Sequence, residues 1–412
     1  MSAVVVRNQC RKNTRASHHR GRAGLMVPLL LVAACSGGGD NGSPPPSSNN
    51  SPPPNQGGTS SAPQFAYVSN SGADTLQAYA VDSNGNFQVA RGQGPQPTGV
   101  FPHHVDVEKK NRFVYISNHD SNFVSGYKIN SSDGTLSPIN PSANASPVTN
   151  LAGNDPTDNN PHSSVSDANG QFLYVVSGLP PQGSTVKTYT INGDGTLTQI
   201  GTTQPIAQCQ HGHNMTASPN DLFVFIGCED SGMVFTFSRN TATGQLTNLG
   251  PTAIGGAAPS VAVDPGSRFL FVGTTNSVSV FNIGSNGTLT PIQNGQNNFA
   301  AGNSPHSLTV DPTGQFLYTA NINSASISAF HIDQTTGALT QLAGSPFTTG
   351  GDPNYVLVHP DGKNLYTADA SNVNGNDVSH FTVNADGTLA RQANTVTSPP
   401  GSGTNGIGMT RF

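Results

Sequence analysis

Pro305-His306-Ser307-Leu308-Thr309-Val310-Asp311-Pro312-Thr313-Gly314-Gln315-Phe316-Leu317-Tyr318 reads as two short strands joined by a tight turn. Apolar residues alternate before the turn, Asp-Pro-x-Gly supplies the turn chemistry, and an aromatic-led apolar run follows. The same sentence recurs at Pro161-His162-Ser163-Ser164-Val165-Ser166-Asp167-Ala168-Asn169-Gly170-Gln171-Phe172-Leu173-Tyr174. Working outward, the aromatic of the second strand returns at Tyr67, Tyr115, Tyr174, Phe225, Phe271, Tyr318 and Tyr366, in steps of 48, 59, 51, 46, 47 and 48 residues. A third strand ends near Tyr79, Tyr127, Tyr189, Phe237, Phe281, Phe330 and Phe381. A hairpin glycine follows each time, at Gly85, Gly134, Gly195, Gly244, Gly287, Gly337 and Gly387. Two residues later an apolar side chain (Phe87, Leu136, Leu197, Leu246, Leu289, Leu339 or Leu389) opens a fourth strand.

Seven units of four strands predict an all-β fold, a seven-bladed β-propeller of four-stranded antiparallel blades. Its ends supply a sharper test. Twelve residues before the second-strand aromatic lies the first residue of each inner strand: His103, His162, His213, Pro259, His306 and Asn354. For Tyr67 that offset falls where no strand can form, and the missing strand stands instead at the far end, from Asn405 to Thr410. The C-terminal strand is therefore expected to complete the first blade and close the ring, which removes exposed sheet edges.

Composition agrees. Only 9% of the 412 residues are charged, against roughly 25% in ordinary domains, while Gly numbers 47, Pro 31 and Trp none. A helix-rich protein or coiled coil is excluded. The formal charge of -5 includes Arg7, Arg11, Lys12, Arg15, Arg20 and Arg22, and without these six 11 cations face 22 acids, a net of -11. Nucleic acid, which needs clustered cations, is not an expected partner.

Residues 1–34 read as a signal peptide, a basic region followed by the apolar run Gly24–Ala34, too short for a bilayer-spanning helix of about 20 residues. Val32-Ala33-Ala34-Cys35 resembles a bacterial lipobox, which implies lipidation of Cys35. Residues 35–64, almost all Ser, Gly, Pro, Asn and Gln, are expected to form a disordered tether. Residues 65–412 form the propeller. The resemblance places a monomeric domain in the cell envelope, touching membrane only through its anchor. Ser36 after the Cys points to outer-membrane sorting.

The repeats carry Tyr67-Val68-Ser69-Asn70, Tyr115-Ile116-Ser117-Asn118 and Tyr318-Thr319-Ala320-Asn321 beside the Asp-Pro-x-Gly-x-Phe-Leu-Tyr pattern. From Phe65 to Phe412 they resemble the seven-bladed lactonase propellers, which include 6-phosphogluconolactonase-like enzymes and Tyr-Val-Thr-Asn repeat proteins. The resemblance implies a lactone site in which His213, six residues before Pro219, and His211 match the fourth-blade pattern. The Arg, His and Glu that the family carries in the next blade are replaced by Ala258-Pro259-Ser260 and Thr274-Thr275.

Apart from any family, four His and two Asn (His103, His162, His213, His306, Asn354 and Asn405) stand at equivalent inner-strand positions, with His104 and His211 adjacent. In a propeller that place is the mouth of the central channel, where polar groups from different blades converge. Three uses compete. His213, His211 or His162 can serve as general base on a lactone, with the other imidazoles and amides (His103, His104, His306, Asn354, Asn405) holding the ligand. The ring can bind a small molecule or surface ligand without chemistry. His103, His162 and His213 can bind a metal; with Glu108 and Glu229 the only glutamates, no cofactor is expected. Set against all three, the repeat itself can prefer a polar residue here. Cys209 and Cys228 flank the first hairpin of blade four nearly opposite one another, so a disulfide is expected in an exported protein.

Overall fold

The computed structural model describes residues 63–139, 160–178, 181, 183–292, 297–370, 378–393, 396 and 403–411. The signal, Cys35 and tether, and nearly all of the long insertion at 140–160, lie outside them.

Each repeat folds into one antiparallel meander, and seven sheets result. Blade one holds Gln64–Asn70, Thr75–Val81 and Phe87–Val89. Blade two runs Pro102–Val107, Phe113–Asn118, Phe123–Ile129 and Leu136–Pro138. Blade three is Pro161–Ser166, Phe172–Ser177, Ser184–Ile191 and Leu197–Ile206. Blade four is Gly212–Ala217, Phe223–Cys228, Met233–Arg239 and Leu246–Ala253. The inner strands of blades five, six and seven are Ser260–Val263, Pro305–Val310 and Pro353–Val358. Their second strands are Phe269–Gly273, Phe316–Asn321 and Asn364–Asp369.

The ring closes as the twelve-residue offset requires. Thr404–Met409 is the inner strand of blade one, pairing Met409 with Ala66, Gly408 with Tyr67 and Ile407 with Val68. Just beyond it, the Phe65 and Thr410 backbones and the Thr410 hydroxyl bond across the junction.

Each blade interface has its own apolar cluster. Phe65, Tyr67, Val105 and Val107 join blades one and two, and Tyr366, Ala368, Ile407 and Met409 join seven and one. The hairpin glycines lock the wedges together. All seven have positive φ, from +74° to +91°. Each sits flat on the second strand of the preceding blade, so a Cβ on Gly387 would stand 2.3 Å from the Phe316 ring. The tyrosine two residues on donates its hydroxyl to the same glycine's carbonyl: Tyr115 to Gly195 at 2.9 Å, Tyr318 to Gly387 at 2.8 Å and Tyr366 to Gly85 at 2.6 Å. Phe225 and Phe271 carry no hydroxyl, and their interfaces rest on apolar packing.

Candidate functional site

Inner strands run down the channel from its mouth, so their first residues meet there. The imidazole centroids of His103, His162 and His213 are 4.8, 5.0 and 5.3 Å apart, and His306 stands 4.4 Å from His213. With Asn354, Asn405, His104, Asn214 and Tyr355 they line one small cavity of about 10 Å³, the lower limit for a single water. A ligand larger than water therefore rests on this rim rather than inside it.

Most rim residues also clamp the next blade. His103 Nδ1 faces the His162 carbonyl at 3.1 Å, His213 Nδ1 the Pro259 carbonyl at 2.9 Å and His306 Nδ1 the Asn354 carbonyl at 3.3 Å. Asn354 Nδ2 donates to the Asn405 carbonyl at 3.1 Å. A carbonyl only accepts, so each of these imidazoles carries its proton on Nδ1 and leaves a lone pair on Nε2. This girdle gives the repeated polar residue a structural use.

His162 breaks the pattern. Its Nε2 lies 2.9 Å from Nε2 of His211, and His211 Nδ1 lies 3.3 Å from a carboxylate oxygen of Glu229. The carboxylate must receive the His211 Nδ1 proton, so His211 Nε2 accepts from His162 Nε2–H. His162 Nδ1 is left as a lone pair, buried and without a hydrogen-bond partner. The side chain is only 4% exposed. An unsatisfied buried acceptor calls for an explanation, and at a channel mouth a bound species supplies one.

Burial keeps these rings neutral. Desolvation, then the neighbouring imidazoles, brings His103 down to about 3. The same causes hold His162 and His213 well below the usual imidazole range. His211 is also lowered by burial, against the opposing pull of Glu229 and Asp230. The rim is thus a set of imidazole lone pairs joined by one buried amide donor, Asn405 Nδ2, which also has no partner.

The structure brings His103, His162, His211, His213, His306, Asn354 and Asn405 to one rim. His104 turns down the channel, its Nε2 3.4 Å from the Tyr355 hydroxyl and its Nδ1 3.5 Å from the Ser164 amide. Sequence reasoning missed His119, whose ring lies 4.4 Å from His162, and the part Glu229 plays. Both fall four residues after the second-strand aromatic, Tyr115 and Phe225. Antiparallel pairing sets the end of the second strand beside the start of the first, Asn118 with Pro102 and Cys228 with Gly212, so the next residue overhangs the mouth. Glu229 holds in blade four the repeat position that Thr275 holds in blade five. The scarcity of acids in the sequence was therefore a poor guide: Glu229, Asp230 and Asp120 all stand beside rim histidines.

Cys209 and Cys228 form a disulfide with a Cα separation of 5.2 Å. It pins the segment carrying His211 to the strand end carrying Glu229, and the Glu229 amide donates to the His211 carbonyl at 2.8 Å. With the cysteines 19 positions apart along the chain, replacing both by Ser should cost about 3 kcal/mol. Urea unfolding followed by circular dichroism measures this, and an unchanged midpoint would contradict it.

The chain matches the family described as "Lactonase, 7-bladed beta-propeller" over residues 58–151, 146–263 and 250–346. It is 29% identical over 119 residues to a 6-phosphogluconolactonase of Erwinia tasmaniensis, covering 28% of this chain and 34% of that one. It is 26% identical over 125 residues to the 6-phosphogluconolactonase of Klebsiella pneumoniae, covering 30% and 34%. It thus spans about a third of the length of these curated relatives. The solved periplasmic gluconolactonase of Pseudomonas aeruginosa superposes with a TM-score of 0.66 at 17% identity, covering 85% of this chain and 99% of that one; at that identity the likeness is one of fold. Sequence match and architecture agree: the chain belongs to the seven-bladed β-propeller lactonases.

Proposed function

We propose that this protein hydrolyses an uncharged lactone at the mouth of its central channel, held at the cell envelope by a lipid on Cys35. The observation that carries the chemistry is the hydrogen-bonded chain Glu229–His211–His162, which ends in a free, desolvated lone pair. Glu229 orients His211 and His211 in turn orients His162, as a carboxylate orients the base in acyl transfer to water. Water at His162 Nδ1 loses a proton to it as the oxygen adds to the lactone carbonyl carbon. The oxyanion meets the unpaired Asn405 Nδ2–H. Collapse breaks the ring C–O bond, and the leaving alkoxide takes back the proton, giving the open hydroxy acid.

No Lys or Arg lines the rim cavity among the described residues, which favours lactones without phosphate. The test is ring opening by the purified full chain on a panel of neutral lactones and one phosphorylated lactone, followed by acid release. Neutral lactones should be opened above background and the phosphorylated one more slowly. Unchanged turnover in His162→Ala and His213→Ala would remove the case. Membrane fractionation of a Cys35→Ala variant tests the anchor, which predicts release.

A second reading, a non-catalytic binding module, is favoured by the girdle, which already employs His103, His213 and His306 structurally. Ligand binding at the rim with no lactone opened would select it.

A further inference from the structure

Four observations at the rim converge. Donor nitrogens of His103, His162 and His213, from three consecutive blades, all lie within 4.8 Å of one another. Backbone carbonyls hold the Nδ1 protons of His103 and His213, fixing the tautomer that exposes Nε2. His162 carries a buried nitrogen with no partner. The cavity they line, about 10 Å³, is the size of one water or ion. Lone pairs that converge on so small a space repel one another unless something positive sits between them.

We propose that His103, His162 and His213 bind one divalent transition-metal ion of the zinc class, with the fourth position open toward the channel mouth. Three neutral imidazoles with an open position suit such an ion, and closing from the observed spread to a zinc–nitrogen bond near 2.1 Å moves each nitrogen by about 0.7 Å. A metal needs a lone pair rather than a proton on each ligating nitrogen, and the carbonyls on Nδ1 of His103 and His213, with the unpartnered His162 nitrogen, leave one such lone pair on each ring. Support from behind is in place as well. The carbonyls of His162 and Pro259 orient two of the rings, and the Glu229–His211 pair orients the third, the arrangement that stiffens metal-binding histidines. Asn405 Nδ2, unpartnered beside the same cavity, is a ready donor to an oxygen on the open position. The inference goes beyond lactone hydrolysis and does not require it: an ion here takes up the His162 Nδ1 lone pair and activates the water itself, in place of His162 as the base.

The experiment is calorimetric titration of Zn²⁺ into the full chain, purified without a histidine tag and stripped with a chelator, beside the visible spectrum of the Co²⁺ form. One Zn²⁺ per chain and the intense bands of tetrahedral Co²⁺ are expected. His103→Gln and His213→Gln should each weaken binding by roughly 100-fold or more, and His211→Ala by about tenfold through lost support. His331→Gln, on the exposed face of the strand Ser326–Ile332 of blade six, should leave it unchanged. Thermal melting identifies any variant that has not folded; should both Gln variants fail, the His211→Ala and Co²⁺ results decide. Absence of stoichiometric Zn²⁺ binding to the wild type, or undiminished affinity in the folded triad variants, would overturn the site. Zinc binding by a chain that opens no lactone supports the site and removes only the function proposed above. Lactone turnover by a chain that binds no zinc overturns the site and leaves that function standing.

Discussion

Ending the chain at residue 403 should abolish cooperative folding, although it removes only nine residues. Thr404–Met409 is buried along its whole length. It carries Ile407 and Met409 into the apolar cluster between blades seven and one, and two such side chains contribute about 3–6 kcal/mol together. Its ladder to Gln64–Asn70 adds about 1 kcal/mol per hydrogen bond. Their sum approaches the whole stability of a typical domain, about 5–15 kcal/mol. The loss also reopens the ring and bares the edge of blade one, a template for aggregation. Because the chain has no Trp, far-UV circular dichroism through a urea titration is the suitable readout. A single sharp transition at the full-length midpoint would contradict the closure argument. Adding back a peptide of residues 403–412 should restore the transition.

The second large effect is catalytic. If Glu229, His211 and His162 act as one unit, His162→Ala should lower kcat about 10³-fold, within the span that general-base catalysis covers. Glu229→Gln keeps the shape but cannot hold the His211 Nδ1 proton by charge, and a loss of about 10²-fold is expected while KM stays near the wild-type value. Residues that act together are non-additive. The double variant should therefore be no slower than His162→Ala alone. Titration of released acid with a neutral lactone gives all three numbers. Full kcat in Glu229→Gln, or multiplicative losses in the double variant, would mean that the chain of hydrogen bonds is not the catalytic unit.

The architecture was legible because its causes are local and repeated. Alternating apolar residues, Asp-x-x-Gly turns and hairpin glycines act within a dozen residues, and seven copies made the spacing a measurement. Ring closure followed from the same spacing, since the only inner strand missing at the head stood at the tail. The gathering of His103, His162, His213 and His306 could be read for that reason too, as equivalent positions in equivalent blades. The roles of those side chains could not. Which imidazole clamps a neighbouring carbonyl and which is left with a bare nitrogen depends on rotamers and partners about 50 residues away along the chain. Glu229 and His119 join the rim through the overhang after the second strand, a position the repeat leaves variable. Local periodicity specifies where the backbone goes; the protonation and partnering of the rim emerge only when separate blades face one another across the axis.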